Sequence, residues 1–298
     1  MTEPLVIVVA VNGGMQMSRD GARVPITPEE IAEDARLCRE AGAAIVHVHA
    51  RDTDGRNTAD TSVFSDIITR IRDRTDILVQ TTNGIGVRRD PASGELIWPA
   101  DEERLALIGL EPSPDLYGVA AGSTDFLHPE GGYHEETPYI NSPQFLKEAI
   151  RAVYAKGSTL EYEIVDTHAL HRLSQYADDG VFDRDADYIW LLYGGDLCFT
   201  PADVELLSYM QRTGERLFPN AVWGVLGGGR GNYRMATLGL ALGANTVRLG
   251  FEDGIYLPDG RVAERNHHLV EALAGLAGMF GRRPATPAEA RTIMGLDR

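Results

Sequence analysis

Two histidines with the spacing of metal ligands, His47 and His49, lie near the end of an apolar, β-branched run that begins at residue 43. In a strand, side chains two residues apart project from the same face. Two imidazoles directed at one point are half of a typical divalent metal site. The spacing therefore predicts a metal centre whose remaining ligands come from elsewhere in the fold.

A second polar cluster, at the end of the last predicted strand, contains Arg248, Glu252 and Asp253. If that strand pairs with the first strand, and the first with the second, Glu252 comes within reach of the two histidines. Two imidazoles and one carboxylate leave a coordination position open, as in catalytic zinc sites. Asp253 beside the metal ligand suits a general base, and Arg248 either holds it ionised or binds a substrate carboxylate.

The elements that must position these residues alternate regularly along the chain. Short apolar runs predict strands, and the stretches between them have the three- and four-residue apolar spacing of helices. The predicted strands are 5–11, 44–49, 77–81, 115–120, 159–165, 188–192, 221–225 and 246–251. The predicted helices are 27–41, 62–72, 101–110, 142–155, 168–176, 200–212, 233–242, 264–280 and one that starts at 286.

This alternation predicts an α/β fold, a (β/α)8 TIM barrel formed by a single domain over residues 1–298 with a short C-terminal helical extension. The rival is a doubly wound open sheet, which usually carries a G-x-G-x-x-G turn after its first strand. Asn12, Gly13 and Gly14 follow the first strand without completing that pattern.

Polar residues gather at the carboxyl ends of the predicted strands, where TIM barrels place their catalytic residues. Besides His47, His49, Arg248, Glu252 and Asp253, they are Asn12, Thr82, Asn83, Ser123, Glu161 and Glu163. After strand seven, a glycine run leads into a helix, and barrels often bind phosphate groups there. We expect Gly228, Gly229 and Arg230 to contact an anionic ligand.

Composition narrows the classes of function. The formal net charge of −16 argues against nucleic acid and anionic membranes as partners. No stretch approaches the ~20 uncharged apolar residues of a membrane span. Two distant cysteines, Cys38 and Cys198, argue against a disulfide framework and favour a reducing cytoplasm. Of the two lysines, Lys147 lies in a predicted helix and Lys156 in the turn before strand five, on the non-catalytic side of the barrel, which argues against a Schiff-base aldolase.

Longer motifs around these residues resemble the β-keto acid cleavage enzymes over nearly the whole chain. The most specific segments are VRLGFEDGIY at 247–256 and ATPAEAR at 285–291. The other matching segments are PITPEEI at 25–31, AGAAIVHVHARD at 41–52, TTNG at 81–84, GS at 122–123 and EYEIVD at 161–166.

The resemblance implies a zinc-dependent barrel enzyme, commonly a homotetramer. Members of the family condense a β-keto acid with acetyl-CoA and release acetoacetate and a new acyl-CoA. The resemblance assigns the metal to His47, His49 and Glu252, and acid–base chemistry to Asp253 and Arg248. In this scheme the keto acid chelates zinc, while Asp253 takes the α-proton of acetyl-CoA or relays protons.

The resemblance also extends to the other strand ends. A strand-five glutamate joins the catalytic group, either Glu161 or Glu163. Thr82 and Ser123 match hydroxyl positions that help to hold substrate, and we expect Asn12 and Asn83 to bind substrate beside them. With acetyl-CoA as co-substrate, the glycine run and Arg230 are expected to contact CoA.

One departure from the family concerns Met15. Members that bind an amino-substituted keto acid carry an acidic residue there, and a thioether cannot neutralise an ammonium group. We therefore expect a keto acid without an ammonium group. Two alternatives remain: a zinc-dependent retro-aldol or Claisen lyase that needs no acetyl-CoA, and a non-catalytic protein that binds CoA or keto acids.

Overall fold

Eight parallel strands form a closed barrel in the part of the chain that the structure describes. A computed structural model describes residues 3–14, 21–89, 92–126, 137–185, 189–195 and 200–296. The barrel strands are β1 Pro4–Ala10, β2 Ile45–Val48, β3 Leu78–Thr82, β4 Leu116–Ala120, β5 Leu160–Ile164, β6 Ile189–Gly195, β7 Val222–Gly228 and β8 Thr246–Leu249. The predicted TIM barrel is confirmed.

Helices alternate with these strands and surround the barrel. They are α1 Pro28–Ala41, α2 Thr61–Arg74, α3 Asp101–Ala106, α4 Pro143–Ala155, α5 Thr167–Asp178, α6 Val204–Leu217, α7 Asn232–Ala241, α8 Asn266–Met279 and α9 Pro287–Ile293. Within the described ranges, no helix is long and apolar enough to cross a membrane.

The termini of α1 and α6 show how local sequence sets these boundaries. Thr27 and Glu30 form a capping box at the start of α1, and Gly42 ends the helix with φ +117°. The predicted start of α6 at residue 200 is wrong by a turn. The side chain of Asp203 accepts hydrogen bonds from the backbone amides of Glu205 and Leu206, which makes Val204 the first helical residue.

Strand pairing closes the barrel around β1. Val8 of β1 pairs with Arg248 of β8, and Ala10 pairs with His47 of β2. The residues that follow β8 therefore lie across the end of β1 from the histidine pair. This register brings together side chains about 200 positions apart in the sequence.

The barrel interior is divided between an apolar half and a polar half. Apolar side chains fill the amino-terminal end, and Ala290 and Met294 of the C-terminal extension pack against them. These barrel residues are Val6, Val8, Ile45, Leu78, Leu116 and Ile189. Burying each large aliphatic side chain contributes about 1.5–3 kcal/mol. The polar side chains are thus displaced to the carboxyl end.

Two short hairpins project beyond the carboxyl ends of β3 and β4. One pairs Arg88–Arg89 with Leu96–Ile97, and the other pairs Thr124–Phe126 with Thr137–Tyr139. Trp98 follows the first hairpin, and Tyr139 ends the second. Their rings meet edge to face at 5.1 Å between centroids.

Candidate active site

His47, His49 and Glu252 converge at the mouth of the barrel. The Nε2 atom of His47 lies 3.4 Å from one Glu252 oxygen, and Nε2 of His49 lies 3.3 Å from the other. The candidate ligand atoms of the three residues all lie within 4.8 Å of one another. The structure thus brings together the three residues that the sequence suggested as metal ligands.

The hydrogen bonds of the two imidazoles show which ring nitrogen faces Glu252. His49 Nδ1 lies 2.9 Å from the carbonyl oxygen of Ile85, and His47 Nδ1 lies 2.7 Å from Oε1 of Gln80. Both oxygens can only accept, so each Nδ1 carries the proton. Burial lowers the pKa of His47 to about 3, so its ring is neutral. The Nε2 lone pair of His47 therefore faces one oxygen of Glu252, and Nε2 of His49 faces the other, an arrangement that a cation between the three residues stabilises.

Arg248 connects three carboxylates beside the histidine pair. Its Nε and Nη2 atoms donate to the two oxygens of Asp253, each at 3.0 Å. Its Nη1 donates to Glu163 at 2.8 Å, and Nη2 also lies 3.2 Å from Glu252. Arg248 and Asp253 are both buried. The bidentate pair fixes Asp253 in orientation, as a guanidinium and a carboxylate do when both bonds form.

The carboxylates in this cluster differ in proton affinity. Burial raises the pKa of Asp253 to about 7, although Arg248 opposes the shift. Burial acts in the same direction on Glu252, but the charge of Arg248 holds its pKa well below the ordinary value. One carboxylate is thus suited to exchange a proton at neutral pH, while its neighbour in the sequence stays ionised.

The two glutamates of β5 occupy different depths. Glu163 lines the cleft and bonds to Arg248. Glu161 lies below it and is fully buried, with the Gln80 side chain as its polar neighbour. Burial raises the pKa of Glu161 to about 7, against the opposing charge of Arg248. Glu163 is therefore the strand-five glutamate that faces the cleft.

The cleft occupies about 760 Å³, including space open to solvent. His47, His49, Glu163, Arg248, Glu252 and Asp253 line its charged part. Thr82, Trp98, Val119, Ala120, Tyr139 and Tyr193 line much of the remainder. Four residues at or near the cleft were not among the predicted site residues: Gln80, Trp98, Tyr139 and Tyr193. Gln80 and Tyr193 carried a usable signal, because they lie on predicted strands or directly after one.

Three predicted substrate-binding residues stabilise neighbouring backbone. Asn12 donates to the carbonyl of His49 at 2.9 Å and accepts from its amide at 3.0 Å. Asn83 donates to the carbonyl of Arg104 at 2.9 Å. The Ser123 hydroxyl accepts from the amide of Asn141 at 3.0 Å. These residues are not among the cleft-lining side chains, whereas Thr82 is.

The glycine run at the end of β7 supports the backbone of Asp253. The Gly229 amide donates to the carbonyl of Asp253 at 2.7 Å, and Gly229 has φ +60°. Gly228 lies so close to Gly195 that a Cβ at Gly195 would be 2.5 Å from the Gly228 nitrogen. The Arg230 guanidinium lies over the Tyr256 ring, 3.8 Å from its centroid. Met15, the predicted specificity residue, lies outside the described residues.

Comparison with known proteins identifies the family of this chain. The sequence profile of the beta-keto acid cleavage enzyme family matches residues 4–296. The chain is 30% identical to "3-keto-5-aminohexanoate cleavage enzyme" of Fusobacterium nucleatum, over 100% of both chains. It is 31% identical to "3-oxoadipate:acetyl-CoA acetyltransferase" of Cupriavidus necator, over 99% of this chain and 96% of that protein.

A solved structure shares the fold. Apo ObcA superposes with a TM-score of 0.74 at 18% identity, covering 91% of this chain. The chain spans 65% of the length of ObcA. The family profile matches nearly the whole length of this chain, so the chain belongs to the beta-keto acid cleavage enzyme family.

Proposed function

We propose that this enzyme transfers an acyl group from a β-keto acid to CoA, using acetyl-CoA and releasing acetoacetate. The observation that carries the proposal is the Arg248–Asp253 pair, held directly beside the His47, His49 and Glu252 cluster. The carboxylate of Asp253, which is held in one orientation and can accept a proton, thus lies beside a site that can hold a cation. The names of both relatives, a cleavage enzyme and an acetyl-CoA acetyltransferase of keto acids, support the proposal.

The proposed metal ligands are His47, His49 and Glu252, and the proposed ion is zinc. The donor set of two imidazoles and one carboxylate is typical of catalytic zinc, with a position left for substrate. When bound there, such an ion polarises a keto oxygen and stabilises negative charge that develops on it.

Asp253 is proposed as the group that takes a proton from the keto acid. Carbon 2 of a β-keto acid lies between two carbonyl groups, so its proton is more acidic than that of acetyl-CoA. We therefore assign Asp253 to this proton, in place of the acetyl-CoA proton that the sequence suggested. Arg248 fixes the orientation of Asp253, and Glu163 balances the charge of Arg248.

The bond changes balance as an exchange of acyl groups. Carbon 2 of the keto acid attacks the carbonyl carbon of acetyl-CoA, and the CoA thiolate leaves. The thiolate then attacks the original keto carbon, and the bond between that carbon and carbon 2 breaks. The electron pair on carbon 2 regains the proton held by Asp253. The products are acetoacetate and the new acyl-CoA.

The remaining binding roles are also proposals. Thr82 lines the cleft, which supports the proposal that it binds substrate directly. Asn12, Asn83 and Ser123 are proposed to shape the substrate site through the backbone segments they hold. Met15 supports a substrate without an ammonium group.

The proposal also covers the CoA-binding residues, the oligomeric state and the cellular location of the protein. Gly228, Gly229 and Arg230 are proposed to contact CoA near the end of β7. We also propose a homotetramer in the cytoplasm, on the basis of the family resemblance and the cysteine usage. Light scattering after size exclusion tests the tetramer, and a dimer or monomer at working concentration contradicts it.

A panel of β-keto acids tests the activity. Each acid is incubated with enzyme in the presence and absence of acetyl-CoA, and again after treatment with a chelator. We expect at least one acid to give acetoacetate only with acetyl-CoA and only before metal removal. Turnover without acetyl-CoA supports a retro-aldol lyase instead, and no acetoacetate from any acid contradicts the proposal.

A further inference from the structure

The Trp98 and Tyr139 side chains separate the active-site cleft from a second cavity. Both residues line the cleft, and both also line a groove of about 570 Å³, measured with its open space, on the other side. Pro99, Ala100, Asp101, Arg104 and Ile140 complete this groove. The edge-to-face contact of the two rings, with centroids 5.1 Å apart, is therefore a partition between two spaces.

Arg104 holds the partition in place. Its Nη2 atom donates to the Tyr139 hydroxyl at 3.2 Å, and its Nε donates to the carbonyl of Asn83 at 3.0 Å. The guanidinium also packs on the Phe145 ring, 3.6 Å from the centroid. Arg104 and Tyr139 are both buried. Because these contacts fix Tyr139, the partition limits what the cleft can hold.

Charge is distributed unevenly around the cleft. Among the described lining residues, the charged and imidazole side chains lie on β2, β5 and β8 or directly after β2 and β8. The wall above β3 and β4 consists of Thr82, Trp98, Val119, Ala120 and Tyr139. A keto acid whose carboxylate and keto oxygens face the charged side therefore directs its remaining chain, the R group, toward an uncharged wall.

Neither sign of charge finds an opposite charge on this wall. A cationic R group meets no carboxylate among the described wall residues, and an anionic R group meets no cationic side chain there. Either charge would lose water against Val119 and Ala120, which is costly without an opposite charge to pair with.

We propose that Trp98 and Tyr139 determine substrate specificity, selecting β-keto acids with a short, uncharged R group that ends at their rings. This inference rests on the proposed function and specifies its substrate class. It uses residues that are independent of Met15.

Three six-carbon acids test the charge preference. 3-Oxohexanoate is neutral in its R group, 3-oxo-5-aminohexanoate is cationic and 3-oxoadipate is anionic. With the wild-type holoenzyme and acetyl-CoA, we expect kcat/KM for the neutral acid to exceed both others by at least about tenfold. A charged acid that matches or exceeds the neutral one overturns the inference.

Opening the partition tests the length limit through a gain of activity. Trp98→Ala connects the cleft to the groove, so the ratio of kcat/KM for 3-oxodecanoate to that for 3-oxohexanoate should rise by about 10–200-fold. Trp98→Phe retains an aromatic ring and should change the ratio much less. Ile97→Ala is the matched control, since Ile97 is the preceding residue, is 45% exposed and does not line the cleft.

The outcomes separate this inference from the proposed function. If Trp98→Ala still converts 3-oxohexanoate but leaves the ratio unchanged, the partition does not set specificity and the inference is wrong. If no acid yields acetoacetate with the wild-type enzyme, the proposed function fails and this inference fails with it.

Discussion

Gln80 accepts a hydrogen bond from the Nδ1–H of His47 at 2.7 Å, inside the barrel and below the metal cluster. This contact orients the imidazole so that Nε2 faces Glu252. Removing a hydrogen bond to a metal-binding histidine typically lowers metal affinity by about 10–100-fold. Gln80 is therefore a positioning residue for the proposed metal.

Removing that contact should weaken metal binding. We expect Gln80→Leu to lower zinc affinity by about 10–100-fold, and Gln80→Glu, which still accepts from Nδ1, to retain most of it. Zinc affinity is measured by competition with a chromogenic chelator. Thr81→Val is the control, since it alters the adjacent position on β3, where the side chain points away from the barrel interior. Equal zinc affinity in Gln80→Leu and wild type would contradict the assignment.

Gly13 should be required for metal binding although it is not a ligand. It has φ +68°, and a Cβ there would lie 2.6 Å from Cγ of Glu252. Gly13→Ala should therefore displace the carboxylate, reducing zinc content and activity together. Gly281→Ala is the matched control, because Gly281 has φ +71° and nothing within 4 Å of the added Cβ. It should show only the strain of a left-handed residue, about 1–2 kcal/mol of stability. If both variants keep zinc equally, close packing at Gly13 does not position Glu252.

Metal binding and proton transfer should separate at two adjacent positions. Glu252→Gln should lose both zinc and activity, since it removes a proposed ligand. Asp253→Asn should keep zinc but lose about 10²–10⁴-fold in kcat, the range for a general base. Zinc content by elemental analysis and acetoacetate production are measured on the same samples. Near wild-type kcat in Asp253→Asn would show that Asp253 does not carry the proton.

Glu161 should make stability depend on pH. Burial raises its pKa from 4.5 to about 7 in the folded chain, so the folded state binds its proton more tightly than the unfolded state. Stability from this group is therefore present below pH 4.5 and is lost as pH rises to about 7. Glu161→Gln does not titrate and so does not lose this stability. The difference in free energy of unfolding between Glu161→Gln and wild type should therefore be larger at pH 8 than at pH 5, in favour of the variant, by at most roughly 3 kcal/mol.

Urea unfolding at the two pH values measures this effect. Glu148→Gln on the surface of α4 is the control and should change stability by the same small amount at both. A difference between Glu161→Gln and wild type that does not change with pH would mean that Glu161 keeps an ordinary proton affinity when folded.

The sequence predicted the fold and the charged half of the site because both depend on periodic patterns. Alternation of strands and helices predicts the barrel, and barrel closure places Glu252 near His47 and His49. Side-chain direction at strand ends was less predictable. Asn12 and Asn83 lie at strand ends, as expected, but their side-chain amides hydrogen-bond to backbone groups. Position in the sequence alone does not determine whether such a side chain bonds to backbone or faces the cleft.

Residues outside the regular pattern were missed for a related reason. Trp98 and Tyr139 belong to hairpins inserted after β3 and β4, and no periodic pattern indicates that these hairpins fold toward the cleft. Gln80 lies on a predicted strand, but an amide is not a typical metal ligand. Its role follows only from its distance to His47. The depth of Glu161 relative to Glu163 likewise required the register of β5 against its neighbours.

The origin of the carbon atoms in acetoacetate tests the central claim most directly. The enzyme is supplied with an unlabelled β-keto acid and acetyl-CoA carrying ¹³C in both acetyl carbons, and acetoacetate is examined by NMR. The proposed exchange predicts label at carbons 3 and 4 of acetoacetate and an unlabelled new acyl-CoA. Unlabelled acetoacetate, or label in the new acyl group, would contradict the account.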